Sequence, residues 1–365
     1  MPSLTLLKQQ KRLLVRRHAQ SSNWIGLWQV TTTLVPLGLL GWAAIASQSI
    51  SLWLSAACTV ALSLLMVRVF ALMHECGHGS LCRTQWLNRL WGFVFGVLSG
   101  MPQYVWAQHH DYHHRTNGNW DRYRGPLSTL SVEEFDAMSE SQRRNWLRAR
   151  RLSLAPLGGF VYLIFNPRFN WMKGLLAWLR YGLRGGWRDT VPAFQTRYWR
   201  TRREFWHMTA NNVVLLSLWA LLTAKLGAAA FFPVYLISVS VAGGVGIALF
   251  TVQHNFDAAY AARDEDWDLD SGALHGTSFL VLPGWLNWMT ANIGFHHIHH
   301  LSAAIPGYRL PQCHAEYAEL FASVRRITLR EIPAQLRCLL WDKQTQQIIS
   351  ADAYVRAQTE HGEPA

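Results

Sequence analysis

Charge is scarce in this chain of 365 residues: Asp, Glu, Lys and Arg make up only 15%, against roughly 25% in soluble globular proteins. Half the residues are hydrophobic, which favours one membrane-embedded domain over a pair of soluble ones. Cysteine is also sparse. The five present (Cys58, Cys76, Cys82, Cys313, Cys338) form an odd set without regular spacing. They do not read as a disulfide framework and suit a reducing compartment. No CxxC pair occurs, so a thiolate zinc site has no support. There is no internal repeat and no low-complexity tract. No cleavable signal is evident, because the apolar segment behind the basic N-terminus is too long for a signal core. That segment reads as a retained transmembrane helix.

What is present points to a bilayer. Nineteen Trp suit the membrane–water boundary, where an indole is apolar on one side and wet on the other. The formal charge of +12 comes from basic residues that flank apolar runs. This is the pattern of the positive-inside rule, and no nucleic-acid-binding module accompanies it. Residues 27–47 carry no charge and match the roughly 20 residues that span a bilayer as a helix. A second apolar segment covers about 50–73, with Arg68 placed late enough to snorkel toward a headgroup. From 208 to 253 the only charge is Lys225, leaving room for two spans, about 208–228 and 232–253. Basic segments 1–23 and 141–205 set the cytoplasmic side. The N-terminus, the C-terminus and all three histidine clusters described next are then expected to face the cytoplasm. Two shorter apolar stretches, 90–101 and 171–183, read as interfacial or re-entrant helices.

Of sixteen histidines, ten fall in three clusters: HECGH (74–78), HHDYHH (109–114) and HHIHH (296–300). Residues three and four apart share a helix face. His74 and His78 are so related, as are His110, His113 and His114, and again His296, His299 and His300. Each cluster can aim two or three imidazoles at one point. Neutral imidazole is a common ligand for iron, copper and zinc. Eight such ligands exceed the four of one tetrahedral zinc and suit two metals with open positions. Spacing leaves His109 and His297 as possible substitutes for a neighbour. His254 ends the fourth apolar run, where a buried polar side chain needs a reason, and reads as a further ligand. His18, His207, His275, His314 and His361 stand alone and carry no such reading.

HECGH, HDYHH and HHIHH resemble the three histidine boxes of membrane fatty-acid desaturases. HECGHGSLCRTQWLN, RTNGNWD and HHIHHLSAAIPGYRLP are similar to the omega-6, or Δ12-type, branch, and the likeness runs from about 73 to 311. The resemblance implies an all-α integral membrane protein. Four transmembrane helices would lie under a cytosolic helical cap holding two non-haem iron ions. The family domain would cover 24–314, between a basic N-terminus (1–23) and a helical C-terminal segment (315–365). By position, the implied ligands are His74, His78, His110, His113, His114, His296, His299 and His300, with His254 as the ninth. Asn292, one turn before His296, would orient a ligand or hold a metal-bound water. Glu75 and Asp111 would accept the second ring N–H of a ligand. Asp121, His109 and His297 are further candidates for this supporting layer.

Mid-chain methylene hydrogens are not acidic, so acid–base catalysis cannot remove them; redox metals with open positions can. The resemblance implies that O2 is reduced to two waters while a cis double bond of Δ12/omega-6 type is made. Its fatty acyl substrate would be linked to lipid, CoA or a carrier protein. A separate electron donor, such as ferredoxin or a cytochrome-b-type protein, is expected. The expected location is the bacterial inner membrane, in contact with membrane lipid. Two alternatives stay open from the sequence: an acyl-chain hydroxylase or acetylenase on the same site, and a histidine-rich metal transporter. The second would need ionisable residues inside the spans.

Overall fold

Ser22 and Ser51 begin the first two apolar helices. Each hydroxyl accepts from the backbone N–H three residues on, Ile25 at 3.5 Å and Leu54 at 3.4 Å, satisfying a donor the helix cannot. The helices run Asn23–Ala46, extended by a 3₁₀ turn to Ser49, and Leu52–Gly77. Two more apolar helices, Arg202–Leu226 and Ala228–His254, follow later. All four are long and apolar enough to cross a membrane. The computed structural model describes residues 2–125, 128–185 and 197–360. Contacts divide the chain into two compact units, Ser22–His110 with Pro156–Gly244, and Met1–Ser21 with Asp111–Ala155 and Val245–Ala365.

The secondary-structure elements of the first, among its described residues, are all helices. Helix Leu52–Gly77 packs against both Asn23–Ala46 and Gln85–Ser99. Hydroxyls along it return to carbonyls four residues back, Thr59 to Ser55 and Ser63 to Thr59, both at 2.8 Å, so neither hydroxyl is stranded among apolar neighbours. Arg68 does not snorkel. It is fully buried and donates to Thr33 Oγ1 at 2.8 Å and to Gln29 Oε1. The neighbouring helix offers two side-chain acceptors within reach of the guanidinium, which explains the difference. The stretch 90–101 belongs to helix Gln85–Ser99, which ends at Gly100 in the left-handed conformation that glycine tolerates best. Arg168 seals that end, bonding the Gly100 carbonyl, the Leu163 carbonyl at 3.2 Å and Asn212 Oδ1 at 2.8 Å. The Leu163 carbonyl sits in a π-helical turn, Val161–Phe165, just before helix Asn166–Leu183. One face of this region stays bare. Leu157, Val161, Phe165, Met172, Leu176, Leu179 and Leu183 are all exposed at spacings of three, four and seven residues, the stripe of an amphipathic helix.

The other unit mixes helices with six short strands, a departure from the all-α expectation. The strands are β1 (Leu130–Ser131), β2 (Ala259–Tyr260), β3 (Phe279–Val281), β4 (Arg326–Thr328), β5 (Cys338–Asp342) and β6 (Gln347–Ser350). Four form a sheet in the order β1-β5-β6-β2, and β3 pairs in parallel with β4. The segment 315–365 therefore contributes three strands before its final helix, Ala351–Glu360. Runs such as CLLWD and QIIS are too short for periodicity to separate strand from helix, and pairing decides. The basic N-terminus is helix Pro2–His18. Its Leu7 and Leu14 are fully buried in a core with Leu274, Ile298 and Leu310. Lys8 pairs with Asp268 at 2.7 Å, Lys11 with Asp270 at 2.5 Å and Arg17 with Glu316 at 2.8 Å.

Candidate metal centre

Two of the imidazole clusters meet within the helical unit. His74 lies in the last turn of helix Leu52–Gly77 and His78 caps its end. His110 comes from helix Gln103–Thr116. The Nε2 atoms of His74 and His110 are 2.8 Å apart, and those of His78 and His74 are 3.2 Å apart. Burial lowers the pKa of His78 to about 4, so the ring is neutral and able to ligate at pH 7.

The unit boundary falls within helix Gln103–Thr116, just past His110. In the second unit, His113 joins His254, His296 and His300. One ring nitrogen from each lies within 4.8 Å of the others, and all four side chains are buried. His254 and His296 place their Nε2 atoms 2.9 Å apart. The turn before the third box is set by Ala291 and Asn292, both at positive φ. It delivers helix His296–Leu301, whose Ile298 and Leu301 sink into the apolar core while His296, His299 and His300 share the opposite face. His114 stacks on His300 with centroids 4.1 Å apart and meets His299 edge-on at 4.6 Å. The pKa of His300 falls well below its ordinary value, first from burial and then from the neighbouring imidazoles.

These distances fit metal ligation. Two nitrogens bound about 2.1 Å from one ion at right angles stand about 3 Å apart, close to the three ring-to-ring separations above. Both nitrogens of His300 are buried without a hydrogen-bond partner. In a closed site that is costly, and a metal ion bound to the nitrogen that carries the lone pair would relieve part of the cost.

The supporting residues divide. Glu75 is buried, but its Oε1 lies 3.9 Å from His74 Nδ1, too far for a hydrogen bond, and its Oε2 accepts from Ser80 Oγ at 3.2 Å. Asp111 is exposed and pairs with Arg115 at 2.9 Å. His109 is exposed as well. Asp121 ties two loops together, accepting from Arg263 at 3.1 Å and from the Asp264 backbone at 3.0 Å. Asn292 donates to the Gly307 carbonyl at 3.1 Å, holding the chain after the box. His297 sits on the apolar face with Ile298; its Nε2 contacts His314 Nδ1 at 3.1 Å, so a histidine that reads as solitary in the sequence is its partner. Two residues the sequence reading passed over touch the site. Trp106 stacks on His110, and Tyr162 accepts its indole N–H. The four-residue step from Trp106 to His110 was a visible signal. His361 lies outside the described residues.

Long apolar helices carrying buried, neutral imidazole clusters define a class of helical proteins able to hold redox metals. Comparison with known proteins narrows it. The fatty acid desaturase family matches residues 51–331. A fatty acid desaturase of Bacillus subtilis (strain 168) is 33% identical over 357 residues, 96% of this chain and 93% of that protein. An sn-1 oleoyl-lipid 12-desaturase of Synechocystis is 25% identical over 269 residues, covering 68% of this chain and 64% of its own length. An omega-6 fatty acid desaturase, endoplasmic reticulum isozyme 1, of Glycine max is 24% identical over 256 residues, with 67% and 60% covered. The chain belongs to the fatty acid desaturase family, and is thus an oxidoreductase acting on fatty acyl chains.

Proposed function

We propose that the enzyme inserts a cis double bond of Δ12/omega-6 type into a fatty acyl chain, using O2 at a non-haem di-iron centre. The observation that carries this is the convergence of imidazoles, most of them buried, at ligand spacing. His74, His78 and His110 would serve one iron, and His113, His254, His296 and His300 the other. His114 and His299 are the remaining donors. The position of the double bond rests on the names of relatives that act on oleoyl lipid or at omega-6.

Iron, when bound, would supply the redox chemistry that reduces O2 and takes two hydrogens from unactivated methylenes. The chain's own part is preparation. Burial favours the neutral form of His78 and His300, which leaves each a ring nitrogen with a lone pair to offer, and helix geometry aims the rings before any ligand arrives. The apolar core behind helix His296–Leu301 excludes bulk water from the third box. No side chain is needed as nucleophile or general base.

The four apolar helices would cross the bacterial inner membrane with both termini and the imidazoles on the cytoplasmic side. Exposed Trp24, Trp28, Trp42 and Trp53 on the first two helices support lipid contact. Lys8, Lys11 and Arg17 are engaged with acidic partners, so the orientation rests more on segment 141–205. A separate one-electron donor, ferredoxin or a cytochrome-b-type protein, would supply the electrons.

Expression in a host lacking polyunsaturated lipids, with and without added oleate, tests the reading. Mass spectrometry should locate a new double bond on the methyl side of the existing one. A hydroxylated or acetylenic acid as main product would reassign the outcome, and an unchanged profile at normal iron content would reject it.

A further inference from the structure

Desaturation sets a requirement that the imidazoles alone do not meet. The balance is O2 + two electrons + two protons + –CH2–CH2– giving –CH=CH– + two H2O. The acyl chain yields two hydrogens, the donor yields two electrons, and the last two protons must come from solvent. Yet His113, His254, His296 and His300 are between 2% and 7% exposed. Protons and product water need a polar way through the protein.

One cavity lies against His254. It has room for a water molecule, about 20 Å³, above the size one water needs. Buried Asn117, Thr129 and Asn255 line it, with Arg124 and Tyr260 also in its wall. Asn255 Nδ2 donates to Thr129 Oγ1 at 2.9 Å, which leaves the Thr129 hydroxyl proton for a further acceptor. Arg124 carries the lining to the surface, where it pairs with Glu134 at 2.7 Å. Gly125 has φ +75, and a Cβ there would stand 2.9 Å from Asn255 Oδ1 and 3.3 Å from Thr129 Oγ1. A side chain at that position would crowd the very oxygens that can hold water, so glycine keeps them open.

We propose that this cavity is the solvent port of the metal site, passing protons in and product water out, with Thr129 as the relaying hydroxyl. The inference rests on the di-iron reading above. Thr129 accepts a proton from water on the outer side and gives its own to water beside His254, ending unchanged. Asn255 fixes the orientation of that hydroxyl through its amide.

The test uses the full-length enzyme in lipid nanodiscs with its reducing system and an oleoyl substrate. Iron content and Mössbauer spectrum are recorded first; a wild-type protein without iron would defeat the di-iron reading itself. Thr129→Val keeps the shape and loses the hydroxyl. It should retain wild-type iron and spectrum and turn over about tenfold more slowly, the cost of one lost hydrogen bond at the barrier. Its rate should also show a larger solvent-deuterium isotope effect, and Thr129→Ser should restore both. Gly125→Ala, crowding the same oxygens with its methyl group, should reproduce the slowing and the isotope effect. Wild-type rate and isotope effect in either iron-loaded variant would overturn the port. So would loss of iron from Thr129→Val with retention in Thr129→Ser, since the wall would then be holding the metal site in shape.

Discussion

Trp106 lies flat on the His110 imidazole, with ring centroids 4.5 Å apart and planes inclined by 15°. The same indole meets His74 edge-on at 5.7 Å and donates its N–H to Tyr162 Oη at 2.9 Å. One side chain thus restrains two proposed ligands from different helices. The π-helical turn Val161–Phe165 carries the tyrosine that holds it, a use consistent with the frequency of such turns at functional sites.

Replacing Trp106 with Ala should lower iron affinity by at least about tenfold, as loss of an outer partner typically does. Phe, which keeps a stacked ring, should retain most of it. Iron per chain after dialysis against a weak chelator distinguishes the two, and equal retention by both variants would remove Trp106 from the site's support.

His113→Ala and His300→Ala should each abolish product while the protein still inserts into membranes. Stripping wild-type enzyme with a strong chelator should do the same, and iron(II) should restore activity where zinc does not. Conversion by either variant comparable to wild type would count against the ligand assignment.

Docking of the N-terminal helix should depend on its leucines far more than on its lysines. Leu14 is fully buried, and Leu14→Ala should cost about 2–5 kcal/mol through the cavity it leaves. Lys8→Ala breaks an exposed ion pair worth about 0.2–1 kcal/mol. Thermal unfolding in detergent measures both, and similar shifts for the two variants would contradict the burial argument.

Arg337 grips Asp352 through two bonds, 2.7 Å and 2.6 Å, and holds its carboxyl below the ordinary value of 3.8. A folded-state pKa below the unfolded one means stability present above pH 3.8 and lost as pH falls through the lowered folded value. Asp352→Asn should therefore be less stable than wild type at neutral pH, with the gap closing below about pH 4. Unfolding midpoints of both proteins across that range would show it, and a gap independent of pH would refute it.

Much of the site was legible because helical period is a local property. Spacing of three and four placed His296, His299 and His300 on one face, and the same rule put His297 on the other with Ile298 and Leu301. Composition and run length likewise marked four helices able to cross a bilayer. Partners across the chain were not legible. Asp111 reads as well placed beside His110, yet it turns outward to Arg115, while Arg68 turns inward to Gln29 and Thr33. Both choices depend on which neighbour another segment brings within reach.

The strands show the same limit from the other side. Short apolar runs near the C-terminus fit strand or helix equally until β5 finds β1 and β6. The amino-acid order by itself determined which imidazoles share a face, which segments are apolar and how charge is distributed, because each is settled within a few turns of chain. Tertiary structure alone decided that His254 meets His296 at 2.9 Å, that Tyr162 holds the Trp106 indole and that a polar cavity opens beside His254. Those relationships join residues far apart in sequence, and only burial of the apolar surfaces between them brings the groups within bonding distance.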